Sequence, residues 1–146
     1  MIEILLRIIA AITLVATSTS CSFFELSSEN ESLDQVDPRI YSADTIRSIK
    51  RISQEELENV LSRNVQVKFV CTIGGNPHQV PGVEEIDLNV GLSAFKAAKD
   101  AYIVTVCDCP NEHGAALLAS YMLSKGYSNV YPLTGGYKAL ISAKKS

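Results

Sequence analysis

The segment AYIVTV, residues 101–106, constrains the fold of this chain more than any other stretch. It is a continuous, mostly apolar run rich in β-branched residues, which is typical of a central parallel strand covered on both faces. A helical pattern follows in HGAALLASYMLSKG, residues 113–126, and Gly126 marks its end. A strand followed by a helix of this kind predicts one unit of an α/β domain with a parallel sheet.

The other predicted elements alternate in the same manner. Ser53 and Glu56 have the spacing of a capping box and predict the start of a helix. Periodicity predicts further strands at 65–72, 83–89 and 129–133, and helices at 51–64, 91–100 and 134–145. This order predicts a three-layer α/β/α fold with a central parallel sheet. Ligands of such sheets bind at the carboxyl ends of the strands, so the junction after Val106 is the expected site.

The N-terminal residues have the layout of a secretory signal. Arg7 precedes an apolar stretch, and small residues lead to Cys21, which resembles the lipidated cysteine of bacterial lipoproteins. We therefore expect a signal peptide at 1–20, a lipid on Cys21, and location in the periplasm or cell envelope. An uncleaved N-terminal membrane anchor is the alternative. The polar residues 21–50 are interpreted as a tether, and residues 51–146 as the folded domain.

Charge and cysteine content narrow the function further. The formal net charge is −3, which argues against nucleic acid as a partner. An exported protein meets an oxidising compartment, where cysteines form disulfides. If Cys21 carries lipid, Cys71, Cys107 and Cys109 remain, so at least one thiol is free or pairs with another molecule.

The loop CDCPNE, residues 107–112, connects the central strand to the next helix. A sharp turn into a helix start aims backbone N–H groups inward, and these groups stabilise an anion together with the helix dipole. A cysteine held there has a lowered pKa and can attack a substrate or carry sulfur as a persulfide. The catalytic candidates are Cys107 and Cys109. The substrate-binding candidates are Asp108, Pro110, Asn111, Glu112, His113 and Gly114.

The stretch AYIVTVC…AALLASYMLSKGYSNVYPLTGGYKAL resembles the C-terminal half of a rhodanese-like domain. CDCPNE resembles a variant loop, C-x-C-P-N-E, that some members of this family carry. ISQEEL and VPGVEEIDL resemble the opening helix and the segment that closes the pocket, so the resemblance covers residues 52–141 and is strongest over 101–140. It implies a sulfurtransferase whose cysteine accepts sulfane sulfur from a donor such as thiosulfate and passes it to a thiol. This chemistry needs no metal or organic cofactor.

The sequence departs from the usual family pattern at several positions. VCTI, residues 70–73, stands where the family has an Asp and an Arg, and Leu140 stands where it has a Trp. The loop also lacks the Arg that often binds a sulfonate donor, since neither Lys nor Arg occurs between Asp100 and Ser124. Backbone amides and a protonated His113 would therefore have to hold thiosulfate, and a persulfide or protein donor is the alternative.

The sequence leaves the roles of the cysteines open. Cys107 follows the strand as the family's active cysteine does, whereas Cys109 leaves a loop of ordinary length before the helix. The pair could also act together in reversible redox chemistry, with one thiol carrying sulfur and the other resolving it. Cys71 ends a neighbouring strand, where it faces the same pocket or belongs to the core.

Three other interpretations compete with sulfur transfer. The missing Asp, Arg and Trp fit a degenerate rhodanese fold that serves as a binding module. The C-x-C pair fits a thiol–disulfide redox protein. A metal half-site would need Cys71, His78 or His113 as further ligands.

Overall fold

The structure is a computed structural model that describes residues 42–76 and 78–146. The predicted signal peptide, Cys21 and the tether up to residue 41 lie outside the described residues. The helices are α1 (Ala43–Ser48), α2 (Gln54–Ser62), α3 (His113–Ser124) and α4 (Gly136–Ala143), and a short 3-10 turn, Pro110–Glu112, precedes α3. The strands are β1 (Val67–Thr72), β2 (Val83–Ile86), β3 (Tyr102–Thr105) and β4 (Asn129–Pro132).

The four strands form a single parallel sheet in the order β2-β1-β3-β4. The register pairs Val70 of β1 with Thr105 of β3, and Thr105 with Pro132 of β4. Strand β3 therefore lies inside the sheet, and its Ile103 and Val104 are completely buried. The apolar run at 101–106 predicted such a central strand, and the structure confirms it.

Helices cover both faces of the sheet and create two separate cores. On one face, Ile103 packs with Leu118 and Met122 of α3, and α1 also packs against α3. On the other face, Val104 packs in a cluster with residues of α2 and α4, two helices that also contact each other. The α/β fold with a parallel sheet between two helical layers is confirmed.

The predicted capping box starts α2. The Ser53 hydroxyl accepts a hydrogen bond from the Glu56 N–H at 3.2 Å, and the Glu56 carboxylate accepts one from the Ser53 N–H at 2.8 Å. Each side chain satisfies an amide that the first helical turn leaves without a partner. The backbone hydrogen bond to Ser53 is also the main reason why the pKa of Glu56 is lowered.

Helix α1 lies within the segment that the sequence analysis assigns to the tether. Ser42 caps it by accepting a hydrogen bond from the Thr45 N–H, and Ile46 is buried against the domain. Neither α1 nor any other helix of the described residues is long and apolar enough to cross a bilayer.

The predicted helix at 91–100 is wrong, because this segment consists of turns. The Asp87 side chain accepts a hydrogen bond from the Asn89 N–H, and the Asp87 carbonyl accepts from Gly91, whose φ is 75°. These local hydrogen bonds compete with helix formation. Phe95 is still buried in the core and is 6% exposed. The helical spacing of apolar residues therefore predicted a buried residue correctly, although no helix forms.

Candidate functional site

The CDCPNE loop lies at the carboxyl edge of the sheet. Val106 continues the ladder beyond β3 by donating to the Val70 carbonyl at 2.9 Å, and Leu133 donates to the Thr105 carbonyl at 2.9 Å. The segments that follow β1 and β4 therefore approach the loop from either side. This is the edge where the sequence analysis expected a ligand site.

A disulfide bond joins Cys107 and Cys109. Both sulfur atoms accept hydrogen bonds from the first turn of α3, Cys109 Sγ from the Gly114 N–H at 3.0 Å and Cys107 Sγ from the Ala115 N–H at 3.3 Å. The first N–H groups of a helix have no partner within the helix, and they carry the positive end of its dipole. The site therefore favours a negatively charged sulfur at either position.

The two cysteines differ in their exposure to solvent. Cys107 is 8% exposed, whereas Cys109 is only partly buried. Gly114 lies directly beneath them, since a Cβ atom at this position would be 3.2 Å from Cys109 Sγ and 3.6 Å from Cys107 Sγ. The absence of a side chain at 114 lets the sulfurs approach the helix end closely, and Cys109 is the more exposed of the two residues.

Asp108, between the two cysteines, attaches the loop to distant parts of the chain. Its Oδ1 accepts a hydrogen bond from the Tyr137 N–H at 3.0 Å, and its Oδ2 pairs with His78 Nε2 at 2.7 Å. A Cβ at Gly136, where φ is 56°, would be 2.5 Å from the Cys107 carbonyl oxygen. A glycine at 136 is therefore needed for the start of α4 to contact the loop so closely.

Glu112 and Arg51 hold the other end of the loop. Glu112 Oε1 accepts a hydrogen bond from the Gly135 N–H at 3.1 Å, and Arg51 donates to the Asn111 carbonyl at 3.3 Å. The Arg51 guanidinium is also 4.0 Å from the Glu112 carboxylate. Together with Asp108, these contacts give the loop a defined shape before any substrate binds.

Asn111 does not cap α3, although asparagine is a residue type that favours N-cap positions. Asn111 and Glu112 have φ values of 56° and 50°, and the residue in the N-cap position of α3 is Glu112, which makes no side-chain cap hydrogen bond. The Glu112 carboxylate instead accepts a hydrogen bond from the Gly135 N–H at the start of α4. Two successive non-glycine residues in the left-handed region are rare, and such strain is concentrated at functional sites.

Of the other candidates, Pro110 opens the 3-10 turn and His113 begins α3. Both residues are exposed. The structure thus brings Cys107, Asp108, Cys109 and Gly114 into direct contact or close proximity, whereas Pro110 and His113 lie at the surface around them.

Cys71 does not share the site of the cysteine pair. It is 1% exposed and neighbours Tyr137 in the core on the α4 face, whereas Cys107 Sγ faces α3. Burial raises the pKa of the Cys71 thiol, and burial also raises that of the Tyr137 hydroxyl. Within the described residues, the Tyr137 hydroxyl is buried without a hydrogen-bond partner of good geometry, although the Cys71 thiol lies beside it.

Sequence reasoning missed His78 and Arg51 as residues of the site. The sequence suggested His78 only as a possible metal ligand. Its side chain is 51% exposed, but it pairs with Asp108 and packs edge-on against the Tyr137 ring at 5.7 Å. Its place in the loop after β1 could have indicated this, because the loops at the carboxyl edge of a parallel sheet converge. Nothing in the local sequence around Arg51 indicates a contact with residues 60 positions away.

The described residues include no group of three or more His, Cys, Asp or Glu side chains that could hold a metal ion. No model of a known protein family matches the chain, and no curated protein matches it either. A small α/β domain with a parallel sheet and a Cys107-x-Cys109 pair after a central strand is compatible with a rhodanese-like fold.

Proposed function

We propose that this protein is a rhodanese-type sulfurtransferase that carries sulfane sulfur as a persulfide of Cys107. The observation that supports this most is the pair of sulfur atoms on the first N–H groups of α3, with Gly114 leaving room for them. A persulfide is an anion near neutral pH, and fixed amide donors stabilise such an anion without any reorganisation.

The disulfide offers a guide to the geometry of the persulfide. Cys109 Sγ is bonded to Cys107 Sγ, so it occupies the position that the outer sulfur of a Cys107 persulfide would take. In that position the outer sulfur would accept a hydrogen bond from the Gly114 N–H, whose nitrogen is 3.0 Å from Cys109 Sγ. The inner sulfur would keep its hydrogen bond from Ala115.

The difference in exposure favours Cys107 over Cys109 as the carrier. A Cys107 persulfide would place its outer sulfur at the partly exposed position of Cys109 Sγ. A Cys109 persulfide would place its outer sulfur where Cys107 Sγ now lies, in a residue that is only 8% exposed. An acceptor must reach the outer sulfur, so the first arrangement suits transfer and the second does not.

The reaction begins with the reduced pair. The Cys107 thiolate attacks the outer sulfur of a donor, a new S–S bond forms, and the donor's own S–S bond breaks with its electron pair on the leaving group. Persulfide donors leave as thiolates and thiosulfate leaves as sulfite. A thiol acceptor then attacks the outer sulfur of Cys107 and takes it, which regenerates the Cys107 thiolate.

The charges around the loop favour a persulfide over thiosulfate as the donor. Asp108 and Glu112 place two carboxylates in the loop, and no Lys or Arg occurs between Asp100 and Ser124. Arg51 reaches the loop, but its guanidinium is engaged with the Asn111 carbonyl and the Glu112 carboxylate. A dianion finds little compensation there, whereas a singly charged persulfide needs only the amide donors.

We place this activity in the periplasm or cell envelope, on the basis of the N-terminal sequence. The charged start, the apolar stretch and the small residues before Cys21 support export and a lipid anchor on Cys21. A Cys21→Ser variant of the full chain should then leave the membrane fraction of cells that express it. Retention of this variant in the membrane fraction would point to an uncleaved anchor instead.

The second candidate is a thiol–disulfide redox protein, and the bond between Cys107 and Cys109 favours it. This function would need the pair but no sulfane sulfur. The two candidates differ in one product, because only the sulfurtransferase retains a sulfur atom from its donor.

Intact-mass measurement tests the proposal directly. A Cys109→Ser variant of the full chain, in which residue 109 cannot displace sulfur from Cys107, is reduced, incubated with glutathione persulfide or with thiosulfate, desalted, and digested to locate any added sulfur. We expect a gain of one sulfur atom on Cys107 with the persulfide donor, less with thiosulfate, and none in a Cys107→Ser variant. Adding Cys71→Ser to the same variant is the matched control and should leave the gain of sulfur unchanged. No gain with either donor, or a gain on Cys71, would overturn the proposal.

A further inference from the structure

Resting on the sulfurtransferase function above, we propose that Cys109 resolves the Cys107 persulfide, that hydrosulfide is released, and that an external dithiol then reduces the pair. The protein would thus reduce sulfane sulfur rather than only pass it on. The partner class is a dithiol reductant, and the end product of each cycle is hydrosulfide.

The first support is the bond between the two cysteines. Only one residue separates them, and Cys109 Sγ reaches bonding distance of Cys107 Sγ while the loop keeps its contacts with the rest of the domain. With the disulfide formed, the Asp108 carboxylate accepts a hydrogen bond from the Tyr137 N–H, and the Glu112 carboxylate accepts one from the Gly135 N–H. Resolution by Cys109 therefore ends in a loop shape that these contacts already stabilise.

The resolving step starts from the persulfide of Cys107. The outer sulfur turns about the Cβ–Sγ bond of Cys107 away from the Gly114 N–H, and the Cys109 thiolate takes its place. Cys109 attacks the inner sulfur, the Cys107–Cys109 bond forms, and the bond between inner and outer sulfur breaks. The outer sulfur leaves with the electron pair, takes a proton from solvent and is released as hydrosulfide. The sulfane sulfur is reduced, and the two cysteine thiols are oxidised to the disulfide.

The second support is the unequal exposure of the two sulfurs. An external thiolate reaches the partly exposed Cys109 Sγ, and Cys107 then leaves as a thiolate that the Ala115 N–H stabilises. The result is a mixed disulfide between the reductant and Cys109.

The adjacent Cys107 thiolate determines whether a monothiol or a dithiol can reduce the disulfide. It lies beside the mixed disulfide and re-forms the original bond at a high effective concentration, which expels a monothiol unchanged. A dithiol has its own second thiol equally close, so it attacks the mixed disulfide from its own side. The reductant leaves as an internal disulfide, and both cysteines are restored as thiols.

A single-turnover experiment on the full chain tests the resolving step. Reduced wild type and a Cys109→Ser variant are loaded with glutathione persulfide, desalted, and followed without any added thiol. We expect the wild type to release one hydrosulfide per loaded sulfur and to form the Cys107–Cys109 disulfide. The Cys109→Ser variant should keep its persulfide for at least about ten times longer. A Cys71→Ser variant is the matched control and should behave as the wild type.

The outcomes separate the two proposals. Equal persulfide lifetimes in the wild type and in Cys109→Ser would overturn the resolving role and leave the sulfurtransferase function standing. Failure of both proteins to take up sulfur would overturn both proposals.

Trapping the mixed disulfide tests the direction of reduction. The oxidised protein is treated with a large excess of glutathione and quenched at once with an alkylating reagent, which traps the small fraction of mixed disulfide that is present before Cys107 expels the glutathione. We expect glutathione on Cys109 and the alkyl group on Cys107, because Cys109 is the more exposed of the two residues. Glutathione on Cys107 would overturn this part of the proposal.

Discussion

Replacement of Gly114 by alanine tests whether the end of α3 holds the outer sulfur. The new Cβ would be 3.2 Å from Cys109 Sγ, which is closer than the usual contact between carbon and a larger atom. The same position belongs to the outer sulfur of the proposed persulfide. This sulfur would have to move by several tenths of an ångström, and its hydrogen bond from the residue 114 N–H would weaken.

The expected loss follows from the strength of that hydrogen bond. A hydrogen bond to a charged group contributes about 1.5–3 kcal/mol. Since about 1.4 kcal/mol corresponds to a factor of ten, the persulfide of Gly114→Ala should be less stable by roughly ten- to a hundredfold. The fold should not suffer in parallel, because alanine is favoured over glycine in a helix by about 1 kcal/mol.

The assay compares the loaded fraction of protein with its thermal stability. The Cys109→Ser protein, with and without Gly114→Ala, is equilibrated with a series of glutathione persulfide concentrations, and intact mass gives the fraction that carries sulfur. Ser124→Ala is the matched control, because it adds an alanine to the exposed far end of the same helix. If Gly114→Ala melts no lower than the wild type and still loads equally well, the proposed contact between Gly114 and the outer sulfur is wrong.

Further predictions concern the core beneath the site and the contact with α4. Tyr137→Phe should leave the free energy of unfolding unchanged or raise it by about 1 kcal/mol, because it removes a buried hydroxyl that has no hydrogen-bond partner. A clear loss of stability in denaturant titrations would contradict this. Burial raises the pKa of Cys71, so its stabilising contribution is complete below the unfolded value of about 8.5 and is lost as the pH rises above it. Cys71→Ala should therefore flatten the decline of stability above about pH 8.5, and an unchanged slope would count against the argument. Gly136→Ala should destabilise the domain by about 1–3 kcal/mol through its positive φ and the approach to the Cys107 carbonyl, and a wild-type melting temperature would contradict it.

The sequence alone was sufficient for the elements whose patterns are local. The apolar run at 101–106 predicted the buried inner strand, because a strand covered on both faces has no polar side to show. Ser53 and Glu56 predicted the start of α2, because a capping box is formed within a single turn. The position of the cysteine pair between a strand and a helix followed from the same kind of pattern.

The segment 91–100 shows where such patterns are insufficient. Leu92 and Phe95 have helical spacing and do pack against the core, as a helix would require. Hydrogen bonds around Asp87 and the positive φ of Gly91 hold the chain in turns instead. Periodicity reports which residues are buried, and it does not by itself report the backbone that buries them.

The environment of the cysteine pair was decided only by the tertiary structure. The sequence places Asp108 and Glu112 next to the cysteines, but their partners come from far along the chain: His78, Tyr137, Gly135 and Arg51. Which of these residues meet depends on the parallel order of the strands and on the packing of α4 against the sheet. Local propensity determines where strands and helices begin. Contacts between the ends of these elements exist only after the two cores have formed, so no local sequence pattern predicts these contacts.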